Sequence, residues 1–195
     1  MITMPIELYT DGSCLRNSTG AGGYAYIIRY WDQPDGTDMP EPKLIEFKQG
    51  YRLTTNNRME VLAAIEGVNK IVSLVEDLTF NGASQLQIFS DSEYLCNAIN
   101  KGWIDRWNEN NWMSSGFRGA QPTVIKNRDL WEKVIEFRKK LKDISVSMTI
   151  TWIRGHSDNE FNERADVLAL AAAHDSTNYL IDTVYEQTAP ILNKK

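Results

Sequence analysis

The order of hydrophobic periodicities constrains this chain most. Ile6, Leu8 and Thr10 alternate with Glu7, Tyr9 and Asp11, a period-2 strand pattern that runs into the turn formers Gly12 and Ser13, so Asp11 is expected at a strand's end. Gly20, Gly22 and Gly23 lead into a second strand, Tyr24 to Tyr30, rich in aromatic and β-branched residues. A loop with Pro34, Gly36, Pro40 and Pro42 separates it from a third, about Lys43 to Leu53. Three early strands on short links predict an antiparallel meander. Thr54 to Asn57 then offers several N-caps before a helix-period run of Val61, Ile65, Val68, Val72 and Val75, with Glu60 in its first turn. Leu86 to Asp91 reads as a fourth strand closed by a carboxylate, and Ser92 to Ile99 as a helix directly after it. Lys101 to Arg128, rich in Trp, Asn and Gly, reads as a helical excursion or protrusion. A helix from Leu130 to Leu141, a fifth strand on Val146, Met148, Ile150 and Trp152, and an Ala-rich helix from about Phe161 to Ala173 complete the order βββαβααβα. The later strands need helical crossovers and are therefore expected to be parallel.

The chain's 195 residues fit one domain, and the residues from His174 onward read as a peripheral tail. The longest apolar run, Val167 to Ala173, is far short of the ~18 residues that a membrane span needs. Met-Ile-Thr-Met-Pro-Ile-Glu at the start lacks the basic and apolar stretches of a secretory signal. Two cysteines, Cys14 and Cys96, cannot build a disulfide framework. A cytoplasmic monomer, away from any membrane, is the expectation.

A net charge of −5 opposes a polyanionic partner, but its distribution does not. Asn100 to Lys142 carries ten Lys and Arg against five Asp and Glu, a local +5, which leaves −10 on the rest. The segment 31–46 holds part of that negative charge. Such asymmetry fits a polyanion docked on one side only.

Asp11 and Asp91 are expected at strand ends, Glu60 opens a helix, and Asp166 lies on the last helix ten residues after His156. Each alone has an ordinary reading: Asp before Gly as a turn residue, Glu60 as a first-turn carboxylate, Asp91 as an N-cap, Asp166 as a solvated helix residue and His156 as a loop histidine. Together, at the carboxyl edge where α/β sheets hold ligands, they form a costly convergence. Two carboxylates about 4 Å apart repel by roughly 4 kcal/mol at an effective dielectric near 20. Either their pKa values rise or divalent cations fill the gap, and all-oxygen ligands suit Mg²⁺ or Mn²⁺.

Tyr9-Thr10-Asp11-Gly12-Ser13-Cys14, Gly20-Ala21-Gly22-Gly23, Thr54-Thr55-Asn56-Asn57-Arg58-Met59-Glu60, Ser90-Asp91-Ser92, and Gly155-His156 with Asn162-Glu163-Arg164-Ala165-Asp166 follow one another in the order of the motifs of ribonuclease H type 1, which the chain resembles from about Ile6 to Ala173. The resemblance implies a ribonuclease H-like α/β fold: a five-stranded mixed sheet, three antiparallel then two parallel strands, flanked by helices. It implies a catalytic domain over 1–173 and a C-terminal tail over 174–195. Asp11, Glu60, Asp91 and Asp166 would be the metal ligands and, with His156, the catalytic residues. The substrate would be an RNA-DNA hybrid met by Gly12, Ser13, Cys14, Asn17, Thr55, Asn56, Asn57 and Ser92, with Thr55 and Asn17 toward a DNA phosphate and Asn56 and Asn57 toward the RNA. The region of Trp103, Trp107 and Trp112 is similar to the protrusion that holds the DNA strand, where aromatic faces stack on bases or sugars. The chain departs from the family pattern in Asn108-Glu109-Asn110-Asn111, where the protrusion is often densely basic, and in Glu93, where bacterial relatives commonly carry Gln.

The implied activity is endoribonucleolytic cleavage of the hybrid's RNA strand, leaving 5′-phosphate and 3′-hydroxyl ends. Two Mg²⁺ per site, or Mn²⁺, would activate the attacking water and stabilise the departing 3′ oxygen. His156, of a residue type that titrates near neutrality, would shuttle a proton or aid product release. The rival readings are a DNA-cutting nuclease or recombinase of the same fold and a non-catalytic hybrid-binding module. The acidic set opposes the latter, because a binder gains nothing from clustered negative charge beside phosphate.

Overall fold

The computed structural model describes residues 5–16, 19–31, 41–77, 84–114 and 121–189. Five strands, β1 (Ile6–Cys14), β2 (Gly20–Tyr30), β3 (Lys43–Thr54), β4 (Gln85–Ser90) and β5 (Ser147–Trp152), form one sheet in the order β3-β2-β1-β4-β5. The first three pair antiparallel, and β4 joins β1 and β5 in parallel register. This is the predicted mixed sheet of an α/β fold.

Alternation along β1 sends its side chains to two cores. Ile6 and Leu8 join Leu86, Ile88 and Ile150 on one face, beneath α1 (Asn56–Glu76), α2 (Glu93–Asn100) and α4 (Arg128–Asp143). There α4 inserts Trp131 and Phe137, both fully buried, from a stripe at helical spacing that begins at Leu130 and ends at Leu141. On the opposite face Tyr9, Ile27 and Ala165 pack with Phe89, Phe161 and Leu168 beneath α5 (Glu160–His174). The Tyr9 ring stacks on Phe89 at 4.9 Å and lies 5.1 Å from Phe161. Asp11, two residues beyond Tyr9, therefore points toward α5.

Two expectations change. Asp11 does not end its strand, because β1 continues through Gly12, Ser13 and Cys14 against Tyr24, Gly23 and Gly22 of β2. Only the parallel partner stops, at Ser90 opposite Thr10, and that leaves Asp11 at the open end of the β4 neighbour. The segment after α5 is tied down. Leu180 bridges to Tyr51, with backbone bonds from Arg52 N–H to its carbonyl (3.1 Å) and from its own N–H to Gly50 (2.9 Å). A last helix, α6 (Thr183–Thr188), then packs against β3, and Arg52 binds Glu186 with two bonds of 2.8 and 2.6 Å.

Candidate active site

The backbone brings the acidic residues together from four elements. Thr55 caps α1, its Oγ1 accepting from the Arg58 N–H at 3.4 Å, and so fixes where that helix begins. Glu60 lies just past the first turn of α1 rather than in it, because the helix already begins at Asn56, and there the helix sits directly on β1: a Cβ at Gly12 would stand 2.2 Å from the Glu60 nitrogen and 2.5 Å from the Met59 carbonyl carbon. Only glycine permits that approach, which seats the start of α1 against the β1 backbone one residue beyond Asp11. Asp91 follows β4 and precedes Ser92, the N-cap of α2. Asp166 stands on α5, the helix that covers the Asp11 face.

Asp11 is 6% exposed, and its Oδ1 accepts from the Gly12 N–H at 2.7 Å. Burial, reinforced by the charges of Asp91 and Asp166, pushes its carboxyl up to about 8, and the Asp166 carboxyl lies within hydrogen-bonding reach. Burial likewise raises Glu60 and Asp91, with the Asp91 charge adding to the Glu60 shift and the Asp166 charge to the Asp91 shift. His156 opposes the Asp91 shift and so lies within electrostatic range of it. The loop after β5 crosses Asp91 closely, since a Cβ at Gly155 would stand 2.7 Å from Asp91 Oδ2, and His156 beside it is exposed with a left-handed φ of 52°.

Polar side chains hold these carboxylates. Asn56 Nδ2 donates to Glu60 Oε1 at 2.7 Å, and Ser92 Oγ donates to Glu60 Oε2 while accepting from the Leu95 N–H at 3.2 Å. Asn162 bonds the Asp91 carboxylate and is 2% exposed, its Oδ1 left without a partner. Asn162 was not singled out in the sequence, although its position four residues before Asp166 places both on one helix face. Ser92, expected at the hybrid, is 3% exposed and donates to Glu60.

The donor set fits a hard divalent cation. It is all oxygen, it is at least half withdrawn from water, and burial with the charges of Asp91 and Asp166 disfavours the ionised Asp11 carboxyl, a cost that a cation would offset. Among the described residues no three acidic, His or Cys side chains stand as a ready cage for an ion.

Of the expected hybrid contacts, Gly12 is buried, Ser13 and Cys14 are half-buried, and Cys14 Sγ lies 3.8 Å from the Thr54 carbonyl. Asn17 lies outside the described residues, as does 32–40 of the acidic segment. Thr55, Asn56 and the exposed Asn57 border a groove of 820 Å³ whose other walls include Lys126, Arg128 and Tyr185. The basic segment is partly neutralised, since Arg128 pairs with Glu132 and Arg138 with Asp105.

The Trp cluster divides. Trp112, at 4% exposure, belongs to the core and offers no stacking face, because the turn after α3 (Trp103–Glu109) folds it inward. Trp103 and Trp107 are half-buried, 6.0 Å apart, and Trp107 rests 5.7 Å from Trp131. Trp107→Ala is accordingly expected to destabilise the fold by about 2–3 kcal/mol, somewhat less than loss of a fully buried ring. A thermal melt that matched the parent would detach Trp107 from the core.

Among the described residues no helix is long and apolar enough to cross a membrane. The RNase H family model matches residues 4–174. Ribonuclease H of Syntrophus aciditrophicus is 43% identical over 168 residues, 86% of this chain and 80% of that protein. Among solved structures, LC9-RNase H1, a type 1 RNase H with the type 2 active-site motif, superposes with a TM-score of 0.62 at 25% identity over 98% of this chain and 83% of its own. LC11-RNase H1 in complex with RNA/DNA hybrid shares the fold, with a TM-score of 0.50 at 21% identity over 86% of this chain and 96% of its own.

Proposed function

The chain belongs to the RNase H family, and from that premise we propose that it is an endonuclease, a cytoplasmic monomer, that hydrolyses the RNA strand of RNA-DNA hybrids to 5′-phosphate and 3′-hydroxyl ends. The observation that carries this reading is that Asp11, Asp91 and Asp166 lie within electrostatic range of one another and Glu60 within range of Asp91, which with burial raises the Asp11, Glu60 and Asp91 carboxyls. The hybrid bound by LC11-RNase H1 supports the substrate.

Asp11, Glu60, Asp91 and Asp166 would hold two Mg²⁺, or Mn²⁺, which when bound lower the pKa of the attacking water and offset charge on the departing oxygen. Asn56 and Ser92 keep the Glu60 carboxylate facing the site, and Asn162 does the same for Asp91. His156, exposed on the loop that crosses Asp91, would pass a proton between the leaving oxygen and water. The RNA strand would be distinguished by its 2′-hydroxyls, met by Asn56 and Asn57, while Thr55 with Lys126 and Arg128 along the same groove would offer donors and charge to the DNA strand's phosphates.

The deciding experiment incubates a hybrid labelled on either strand, and the matching duplex DNA, with and without Mg²⁺. RNA-strand cleavage that needs the cation and leaves duplex DNA intact is expected. Cleavage of duplex DNA would favour the recombinase-like reading, and tight hybrid binding without cleavage the binding module.

A further inference from the structure

Asp182 lies beyond the span matched by the family model, yet it is 6% exposed and every lone-pair direction of its carboxylate is used. Oδ1 accepts from the Tyr185 N–H (3.2 Å) as the N-cap of α6 and from Arg58 Nη2 (2.8 Å). Oδ2 accepts from Thr54 Oγ1 (3.0 Å) and from Arg58 Nε (2.6 Å). Arg58 turns its remaining donors to Asp129, with bonds of 2.9 and 2.7 Å, and to Asn127 at 3.4 Å. All five guanidinium N–H groups are thereby occupied.

One carboxylate thus grips Thr54 and Arg58, the two residues that bracket Thr55-Asn56-Asn57. Arg58 also reaches Thr55 through its backbone N–H. We propose that Asp182 is a positioning residue for substrate: it clamps both ends of the Thr55–Asn57 turn, setting the groove wall that meets the hybrid. This rests on the function proposed above. Asp129 serves as an internal contrast, because it holds the same guanidinium from α4 without touching Thr54.

Asp182→Asn replaces one acceptor oxygen by a donor that faces another donor, so one end of the turn is released. Cleavage of a labelled hybrid with Mg²⁺, at a temperature where each variant is folded, is expected to give a KM about 10-fold higher with kcat within about 3-fold, the pattern of lost binding rather than lost chemistry. Thr54→Val, which cuts only the Thr54 bond, should raise KM about 3-fold. Asp129→Asn should lower the melting temperature without raising KM, because it loosens the same guanidinium while Thr54 stays held and takes a negative charge from the groove wall. An unchanged KM in a folded Asp182→Asn variant overturns the proposal, as does an equal KM rise in Asp129→Asn, which would mean general loosening. If Asp182→Asn does not fold, Thr54→Val decides alone, an unchanged KM again overturning the clamp. A parent protein that cleaves no hybrid would overturn the function and the clamp together, whereas an active parent with indifferent variants would sink the clamp only.

Discussion

Asp91→Asn should leave the fold intact and cut hybrid cleavage at least ~10³-fold, about 4 kcal/mol of lost transition-state stabilisation. The amide is nearly isosteric, so packing against Gly155 and the bond from Asn162 persist in outline. What disappears is a negative charge at the point where β4 stops and the Asp11 side chain emerges. Asp11→Asn and Glu60→Gln should behave alike, since each removes one of the oxygens proposed to hold a cation. Stability should stay level or rise, because burial and neighbouring charge already work against ionisation at Asp11, Glu60 and Asp91. His156→Ala provides the scale: an assisting proton carrier should cost only ~10²-fold, the lower end of general acid-base help. Single-turnover cleavage of a labelled hybrid, with a melt of each variant, separates the cases. Near-normal turnover in any carboxylate variant would remove that residue from the site.

Local periodicity made most of the fold legible. The period-2 strands and the order of crossovers specify a mixed sheet, and helix spacing placed Val61, Ile65 and Val68 against it. Pairings made by distant partners were not legible. Gly12 and Ser13 read as a turn because both residue types favour turns, yet Gly22, Gly23 and Tyr24 complete their ladder and carry the strand onward. The C-terminal segment is polar and short of apolar spacing, so nothing local distinguishes it from a tail. Its anchor is Asp182 on Arg58, a pairing 124 residues apart in the chain. Trp112 illustrates the same limit: a polar neighbourhood in sequence does not reveal that the chain folds the ring into the core. The acidic residues were legible as a set because the motifs around them are local. Their supports were less so: Asn162 stands in a motif that assigns it no task, and the bond from Ser92 to Glu60 joins two segments neither of which carries a sign of the other.

Without divalent cation the protein should lose stability as pH rises from about 4 to about 8, and Asp11→Asn should remove most of that loss. In the unfolded chain Asp11 titrates near 3.8, whereas burial and the charges of Asp91 and Asp166 hold its folded carboxyl at about 8. Below the lower value both states are protonated and the contribution is fully present. Between the two values the folded state keeps a proton that the unfolded state has released, so stability falls with each increment of pH until the folded carboxyl ionises. The neighbouring carboxyls share the titration, so the loss belongs to the cluster. A change of about 2–4 kcal/mol between pH 5 and pH 8 corresponds to roughly 5–10 °C in melting temperature for a chain of this size. An amide at position 11 does not titrate and leaves Asp91 with one fewer negative neighbour. Protons and Mg²⁺ compete for the same oxygens, so added Mg²⁺ should raise the melting temperature of the parent more at pH 8 than at pH 5, and that of Asp11→Asn less at either pH. Melts at the two pH values, in chelator and in Mg²⁺, test each step. Parallel pH dependence in parent and variant would show that Asp11 is ionised throughout, and the repulsion that makes the site a cation receptor would then have to lie among Glu60, Asp91 and Asp166 instead.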